Sequence, residues 1–439
     1  MFPEQRHNLR RICFVALICC THFASSRLAV AQWSAFRGGR LQAVADAQNL
    51  PTKWSQSENL LWSVPLVGRG NSSPVVTDHD VFLTSQDANR DLWIVDIDIR
   101  TGKTSWQNKV GGGSITATGP ASLYAHRQNA ATPTPLTDGE NVFAFFGTGD
   151  FVCLDYRGEL VWRRSLVKDY GPFDLSFGMS SSPCWIGKEL LLACVNKRSS
   201  YVIIMNPRYG TTEHKLGREY YAKADGRDAY SSPVVFDSLN PIVLVAAADT
   251  LDSHVLYAQP KLKSMWHSSS LGIESDHGRI IASPTVYENT IVVTTANPLG
   301  AGVGRVHALD MNSTGQGRVL WEYKKYTPDC STPVCYKNRV YMVRDDGIAS
   351  CLKLRTGELV WRKRLGKGPF HSSLVASDDK VYFLSRDGVC YVVAADNEGA
   401  LLAENQLPGN FYATPAISNG VMYIRSDTHL YAIGRPAKQ

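Results

Sequence analysis

STPVCYKNRVYMVRDDGIASCLKLRTGELVW, residues 331–361, holds one full copy of a unit that the rest of the chain repeats. Pro333, Val334, Cys335 and Tyr336 read as a short apolar strand, which Lys337 and Asn338 turn. Arg339 to Val343 then returns rich in valine and tyrosine, residues that suit a half-buried pleated surface. Asp346-Gly347 supplies a tight hairpin turn. Residues 348–354 form a third strand, and Arg355-Thr356-Gly357 turns it into a fourth, residues 358–362, which carries Trp361.

Four antiparallel strands in about 40 residues are the size of one β-propeller blade. Three marks count the copies. The first is a Ser/Thr-Pro pair opening a Val-rich strand, at Ser73, Thr132, Ser182, Ser232, Ser283, Thr332 and Thr414, with Ser373-Leu374 in the remaining place. Proline fits there because the first residue of a strand need not donate to the ladder. The second is a short polar turn ending in glycine, as in Asp98-Ile-Arg-Thr-Gly102 and Lys353-Leu-Arg-Thr-Gly357. The third is a tryptophan a few residues later: Trp106, Trp162, Trp266, Trp321 and Trp361. Two copies lack it, at residues 211–216 and 400–407. The last copy, residues 414–433, stops after its third strand, whereas an unpartnered tryptophan strand, residues 59–66 with Trp62, precedes the first copy. These counts predict an all-β chain: a single eight-bladed propeller of four-stranded antiparallel blades over residues 59–433, closed by an N-terminal latch strand that leaves no open sheet edge.

Outside the ring, residues 1–31 read as a signal peptide. Arg6, Arg10 and Arg11 precede the apolar run of residues 12–20, and Ala29-Val30-Ala31 offers a cleavage site. Residues 32–58 form an extension and linker, and 434–439 a tail. Export to the periplasm or cell envelope is expected, with no transmembrane segment in the mature chain and a monomeric state. Without the leader, Lys+Arg falls from 46 to 42 and Asp+Glu from 40 to 39, a formal charge near +3. Such near-balance argues against a nucleic-acid partner. Of ten cysteines, seven lie beyond the leader, an odd number that leaves at least one thiol unpaired in a monomer. Cys153 and Cys351 read as small core residues. Cys330 with Cys335, or Cys184 with Cys194, are the pairs placed to oxidise, and the absence of Cys-x-x-Cys spacing speaks against a metal.

The Ser-Ser-Pro-Val-Val strand (residues 72–76), the Asp-x-x-Thr-Gly turn (98–102) and the tryptophan after it resemble the pyrroloquinoline-quinone-type (PQQ-like) propeller repeat. The resemblance covers nearly the whole mature chain, including Trp33-Ser-Ala-Phe36-Arg37-Gly38 and Leu50-Pro51-Thr-Lys-Trp54. It is similar to exported planctomycete-type propellers, with relatives among quinoprotein dehydrogenases and the propeller lipoprotein of the outer-membrane β-barrel assembly machine. The resemblance implies that Trp62, Trp106, Trp162, Trp266, Trp321 and Trp361 each dock on the neighbouring blade, where a large apolar area is buried.

For the dehydrogenases it implies a quinone stacked between a tryptophan and a disulfide of adjacent cysteines, with calcium beside a catalytic aspartate. The one adjacent pair in this chain, Cys19-Cys20, falls in the leader, and Asp96, Asp98, Asp155 and Asp310 read as strand or turn residues. No catalytic residue, cofactor or metal is therefore expected; PQQ and calcium belong to the alternative of a quinoprotein dehydrogenase. A second alternative is an assembly-factor lipoprotein anchored at Cys20, where Cys19 stands in place of the usual small residue. The preferred expectation is an exported, non-catalytic scaffold that binds a protein or small ligand at one mouth of the channel. The connections leading into the Ser-Pro strands should gather there. Their candidate residues are His126, Arg127, Asp169, Tyr170, Arg227, Asp228, Tyr230, Asp276, His277 and Arg279. Asp276-His277 beside Arg227-Asp228 suits a small anion or a metal, or simple pairing within the loops. Trp33-Ser-Ala-Phe36-Arg37-Gly38 suits a plug packed under the ring, or a segment presenting its aromatics to a partner.

Overall fold

The computed structural model describes residues 33–115, 129–218, 227–236, 241–247, 250–257, 261–269, 271, 279–295 and 304–435. These form eight sheets of four antiparallel strands arranged as a ring, seven of the blades running in chain order from the first strand outward. Blade 1 begins at Val75–Val76, blade 2 at Leu136–Thr137, blade 3 at Cys184–Ile186 and blade 4 at Val234–Phe236. Blades 5, 6, 7 and 8 begin at Thr285–Tyr287, Val334–Tyr336, Val375–Ser377 and Ala416–Ser418. Blade 4 gains a fifth, parallel strand, Gly315–Gln316, lent by blade 5. The fourth strand of blade 8 is Leu60–Pro65, which pairs with His429–Ile433 and puts Trp62 opposite Ala432. The ring is thus closed by the beginning of the chain.

The first strands line the channel and are joined by a circle of eight hydrogen bonds. Each backbone N–H donates to a hydroxyl on the next blade. Ser73 N–H bonds Thr134 Oγ1 at 2.9 Å, and the chain of bonds passes through Ser182, Ser232, Ser283, Thr332, Ser373 and Thr414. It closes where Thr414 N–H reaches Ser73 Oγ at 3.1 Å. All eight side chains are buried, so each bond satisfies groups that have no access to water. In blade 2 the member is Thr134, not the expected Thr132: two Thr-Pro pairs stand in tandem there, and Thr132 instead bonds Asn129 O in the preceding loop.

The tryptophans dock as the repeat implied. Trp321 lies flat on Gly357 of blade 6, where a Cβ would come within 2.7 Å of the indole and φ is +72°. Glycine at this turn is required twice over, by its backbone conformation and by the ring resting on it. The same relation joins Trp62 to Gly102, Trp106 to Gly158, Trp162 to Gly210 and Trp361 to Gly399, while Trp266 rests on Gly317 rather than on the Gly315 of the turn motif. Every one of these indoles donates its N–H to a carbonyl of the next blade, at 2.7 to 3.3 Å. A bulge in each outer strand, such as that between Cys351 and Leu352, tilts the tryptophan toward the neighbour.

Two blades lack the tryptophan, and they differ. In blade 3 His214 holds the position, opposite Ile204. In blade 7 Ala403 holds it, opposite Val392, and the gap is filled from elsewhere. Trp54 of the linker is 4% exposed and stands 6.4 Å from Tyr382 of blade 7. That matches Trp361 with Tyr341 in blade 6 (6.0 Å) and Trp62 with Tyr423 in blade 8 (5.9 Å). Asn405 fixes the linker, accepting from Trp54 N–H at 2.8 Å and donating to Thr52 O at 3.0 Å.

Candidate functional site at the two ends of the channel

The N-terminal segment enters the channel at the end where the first strands finish. Trp33, wholly buried, exchanges backbone hydrogen bonds with Val76 of blade 1, and Thr137 N–H of blade 2 donates to Ser34 O. Arg37 donates to Pro333 O of blade 6 at 2.8 Å and Pro284 O of blade 5 at 3.4 Å. Ala43 and Ala45 pair with Ala376 of blade 7. The plug expectation therefore holds. Burial lowers the Arg37 guanidinium to about 10, still charged at neutral pH, and its carbonyl partners offset that desolvation. The plug does not fill its end of the channel. A cavity of ≈ 690 Å³ remains against blades 3 and 4, lined by Arg37, Asp138, Trp185, Lys188 and the ring hydroxyls Ser182 and Ser232. No sequence mark pointed to it, because its walls are turn and strand-end residues that read as structural.

At the opposite end stand the connections that lead into the first strands. Of the ten candidates, His126, Arg127, Asp276 and His277 lie outside the described residues. Asp228, Tyr230 and Arg279 come together. Asp228 is wholly buried, 3.1 Å from Lys197 Nζ, and accepts from Tyr230 Oη at 3.0 Å and Ser176 N–H at 3.2 Å. Arg279 lies over the Phe177 and Tyr230 rings, at 5.5 and 5.7 Å. Burial, then the Asp228 charge, push the Tyr230 phenol upward, so it remains a donor. Arg227 joins from the rim, donating to Lys197 O at 3.0 Å. Asp169 and Tyr170 do not join. Asp169 pairs with Arg164 at 2.7 Å, and Tyr170 Oη meets Thr212 Oγ1 on the outer strand of blade 3. Their helix, Leu166–Tyr170, is a peripheral brace.

Lys197, Ser176 and Phe177 were missed by sequence reasoning. Lys197 sits in the hairpin between the second and third strands of blade 3, a class of turn that shares this mouth but was not among the long connections weighed. The same oversight hid a second group across the mouth, where Cys330, Asp345 and His371 bring one ligand atom each to within 4.8 Å of one another. Between blades 8 and 1, Arg425 is 1% exposed and bonds Ser72 O (3.1 Å), Ser72 Oγ and Ser85 Oγ (3.0 Å), and burial lowers it to about 9. It braces the seam of the ring. None of the seven described cysteines is in a disulfide. The two candidate disulfides are not formed: Cys184 is in register with Leu191, and Cys194 with Tyr201.

Eight sheets in a closed ring, hinged on a hydroxyl circle and indole-on-glycine contacts, define an eight-bladed β-propeller. Residues 24–214, 252–364 and 345–435 match the family described as outer membrane protein assembly factor BamB, and the chain belongs to that family. BamB of Salmonella typhimurium is 22% identical over 137 residues, 29% of this chain and 33% of that protein, so the match spans about a third of that relative's length. The structure of BamB from Moraxella catarrhalis superposes with a TM-score of 0.62 at 14% identity, covering 85% of this chain and 98% of that one. Quinohemoprotein alcohol dehydrogenase from Comamonas testosteroni gives 0.66 at 11% identity, covering 93% and 81%. At these identities the structural likeness is one of fold. Among the described residues no helix is long and apolar enough to cross a membrane.

Proposed function

We propose that this chain is an exported, non-catalytic scaffold of the cell envelope that holds a protein or small-ligand partner at the channel mouth formed by the connections into the first strands. The observation that carries this reading is the plug: the chain's own N-terminal segment occupies the other end, anchored to blades 1, 2, 5, 6 and 7. What remains is the other mouth, where Arg227 donates to Lys197 O at 3.0 Å, Lys197 pairs with the buried Asp228, and the adjacent Arg198, 65% exposed, lies 3.6 Å from Asp174. Rigid strands carrying polar loops are a common base for partner contacts. The narrower reading, an assembly factor acting on outer-membrane proteins, draws on the family's description. The dehydrogenase reading needs an indole and a joined pair of neighbouring cysteines, and the seven described cysteines are all separated in sequence.

The test is capture from the source envelope by immobilised full chain, comparing wild type with a double variant, Arg198→Ala and Arg227→Ala, and with a control away from this mouth, Arg355→Ala, in the turn between the third and fourth strands of blade 6. A partner retained by the control and lost by the double variant is the expected result. Identical capture by all three, or dye-linked alcohol oxidation after reconstitution with the quinone and calcium, overturns the proposal.

A further inference from the structure

The repeat puts one residue of every blade directly above the hydroxyl circle, two positions before the ring serine or threonine. On blades 6, 7 and 8 these residues are Cys330, His371 and Tyr412, and His371 stands near both of the others. The His371 and Tyr412 rings are 5.7 Å apart. Under the gap between Cys330 and His371 comes Asp345, from the hairpin between the second and third strands of blade 6. Its main chain is tied to the same corner, since Phe370 N–H donates to Asp345 O at 3.1 Å. Three segments distant in sequence thus deliver a sulfur, an oxygen and a nitrogen to one point, within 4.8 Å of one another, with Asp345 Oδ2 and His371 Nε2 at 3.8 Å.

We infer that Cys330, Asp345 and His371 form a binding site for a divalent transition-metal ion of the zinc type, bridging blades 6 and 7 at the open mouth of the channel. Thiolate, imidazole and carboxylate are the donors such an ion takes in tetrahedral sites. Bonds of about 2.0–2.3 Å set tetrahedral donor atoms roughly 3.4–3.6 Å apart. A thiolate and a carboxylate balance the 2+ charge, and the metal itself drives loss of the thiol proton. The nearby guanidiniums hydrogen-bond Asp346, Arg344 at 2.8 Å and Arg364 at 3.3 Å, and the Arg344 charge also acts on Asp345, which keeps that carboxyl ionised for a metal. The His371 side chain is 6% exposed, that of Asp345 29%, so the site is walled on the protein side and open toward the channel. Three protein donors leave a fourth position for water or for a donor from whatever enters the mouth.

The experiment uses the purified full chain, stripped with chelator and titrated with Co(II) as a spectroscopic stand-in and Zn(II) in chelator competition. The expected result is one ion per chain and a sulfur-to-cobalt charge-transfer band that disappears in Cys330→Ser. His371→Ala and the near-isosteric Asp345→Asn weaken Zn(II) by more than the roughly 10–100-fold typical of losing an outer partner. Binding that survives unchanged in Cys330→Ser, a cobalt complex without the sulfur band, or an Asp345→Asn chain that folds and binds as wild type overturns the assignment. Should Cys330→Ser fail to fold, the Asp345→Asn comparison decides on its own.

Discussion

Asp96 faces inward from the third strand of blade 1, 3% exposed, with one carboxyl oxygen lacking a hydrogen-bond partner among the described residues. Burial, reinforced by the neighbouring Asp80, pushes it up from 3.8 to about 8. The folded chain therefore keeps this proton where the unfolded chain has already released it. Stability falls as pH rises between about 4 and 8 and levels off above, because the native state binds more protons across that window. Asp96→Asn removes the effect. Its gain in thermal midpoint over wild type should be near zero at pH 4, grow through neutrality and plateau beyond pH 8; a gain independent of pH would show that Asp96 is ionised in the fold. The site was less legible at this scale than the fold. Asp228, Tyr230 and Arg279 were singled out from loop composition and do meet, but through Lys197 and Phe177, which no repeat mark distinguishes. Cys330 was weighed against Cys335 because they flank one strand, whereas its neighbours in space come from other turns.

At the level of the elements, Trp54 behaves as a displaced part of blade 7. Trp54→Ala empties an indole-sized space beside Tyr382 and should cost about 3–5 kcal/mol, close to Trp361→Ala in the intact blade. Ala403→Trp, which restores the repeat in sequence, should destabilise wild type by overpacking and partly rescue Trp54→Ala. Chemical unfolding of the four-member set measures this coupling, and strict additivity would mean that the two positions do not share one space. Strand order, blade count and the latch were readable because Trp62 lacked a host blade and residues 414–433 lacked a fourth strand. Trp54 was not, since its partner lies in Tyr382, far along the chain, and no periodicity links them. Thr134 was misplaced by one dipeptide because Thr132-Pro133 satisfies the same local rule, and only the eightfold hydrogen-bond circle distinguishes them.

For the molecule as a whole, closure depends on residues 33–65. They supply the plug, the indole of blade 7 and the outer strand of blade 8. A chain lacking residues 33–66 exposes the edge of His429–Ile433 and should associate through it and unfold less cooperatively than the full chain, as followed by size-exclusion chromatography with light scattering and by denaturant melts. A cooperative monomer from that deletion would show that the hydroxyl circle and the five seams docked by Trp106, Trp162, Trp266, Trp321 and Trp361 suffice. The latch also sets a timetable. Residues 60–65 are made before every blade, and their berth is His429–Ile433, the last described strand of the ring. Until that berth is made the strand of Trp62 travels undocked, so the interval between its synthesis and that of His429–Ile433 is when this protein most needs a chaperone's shelter.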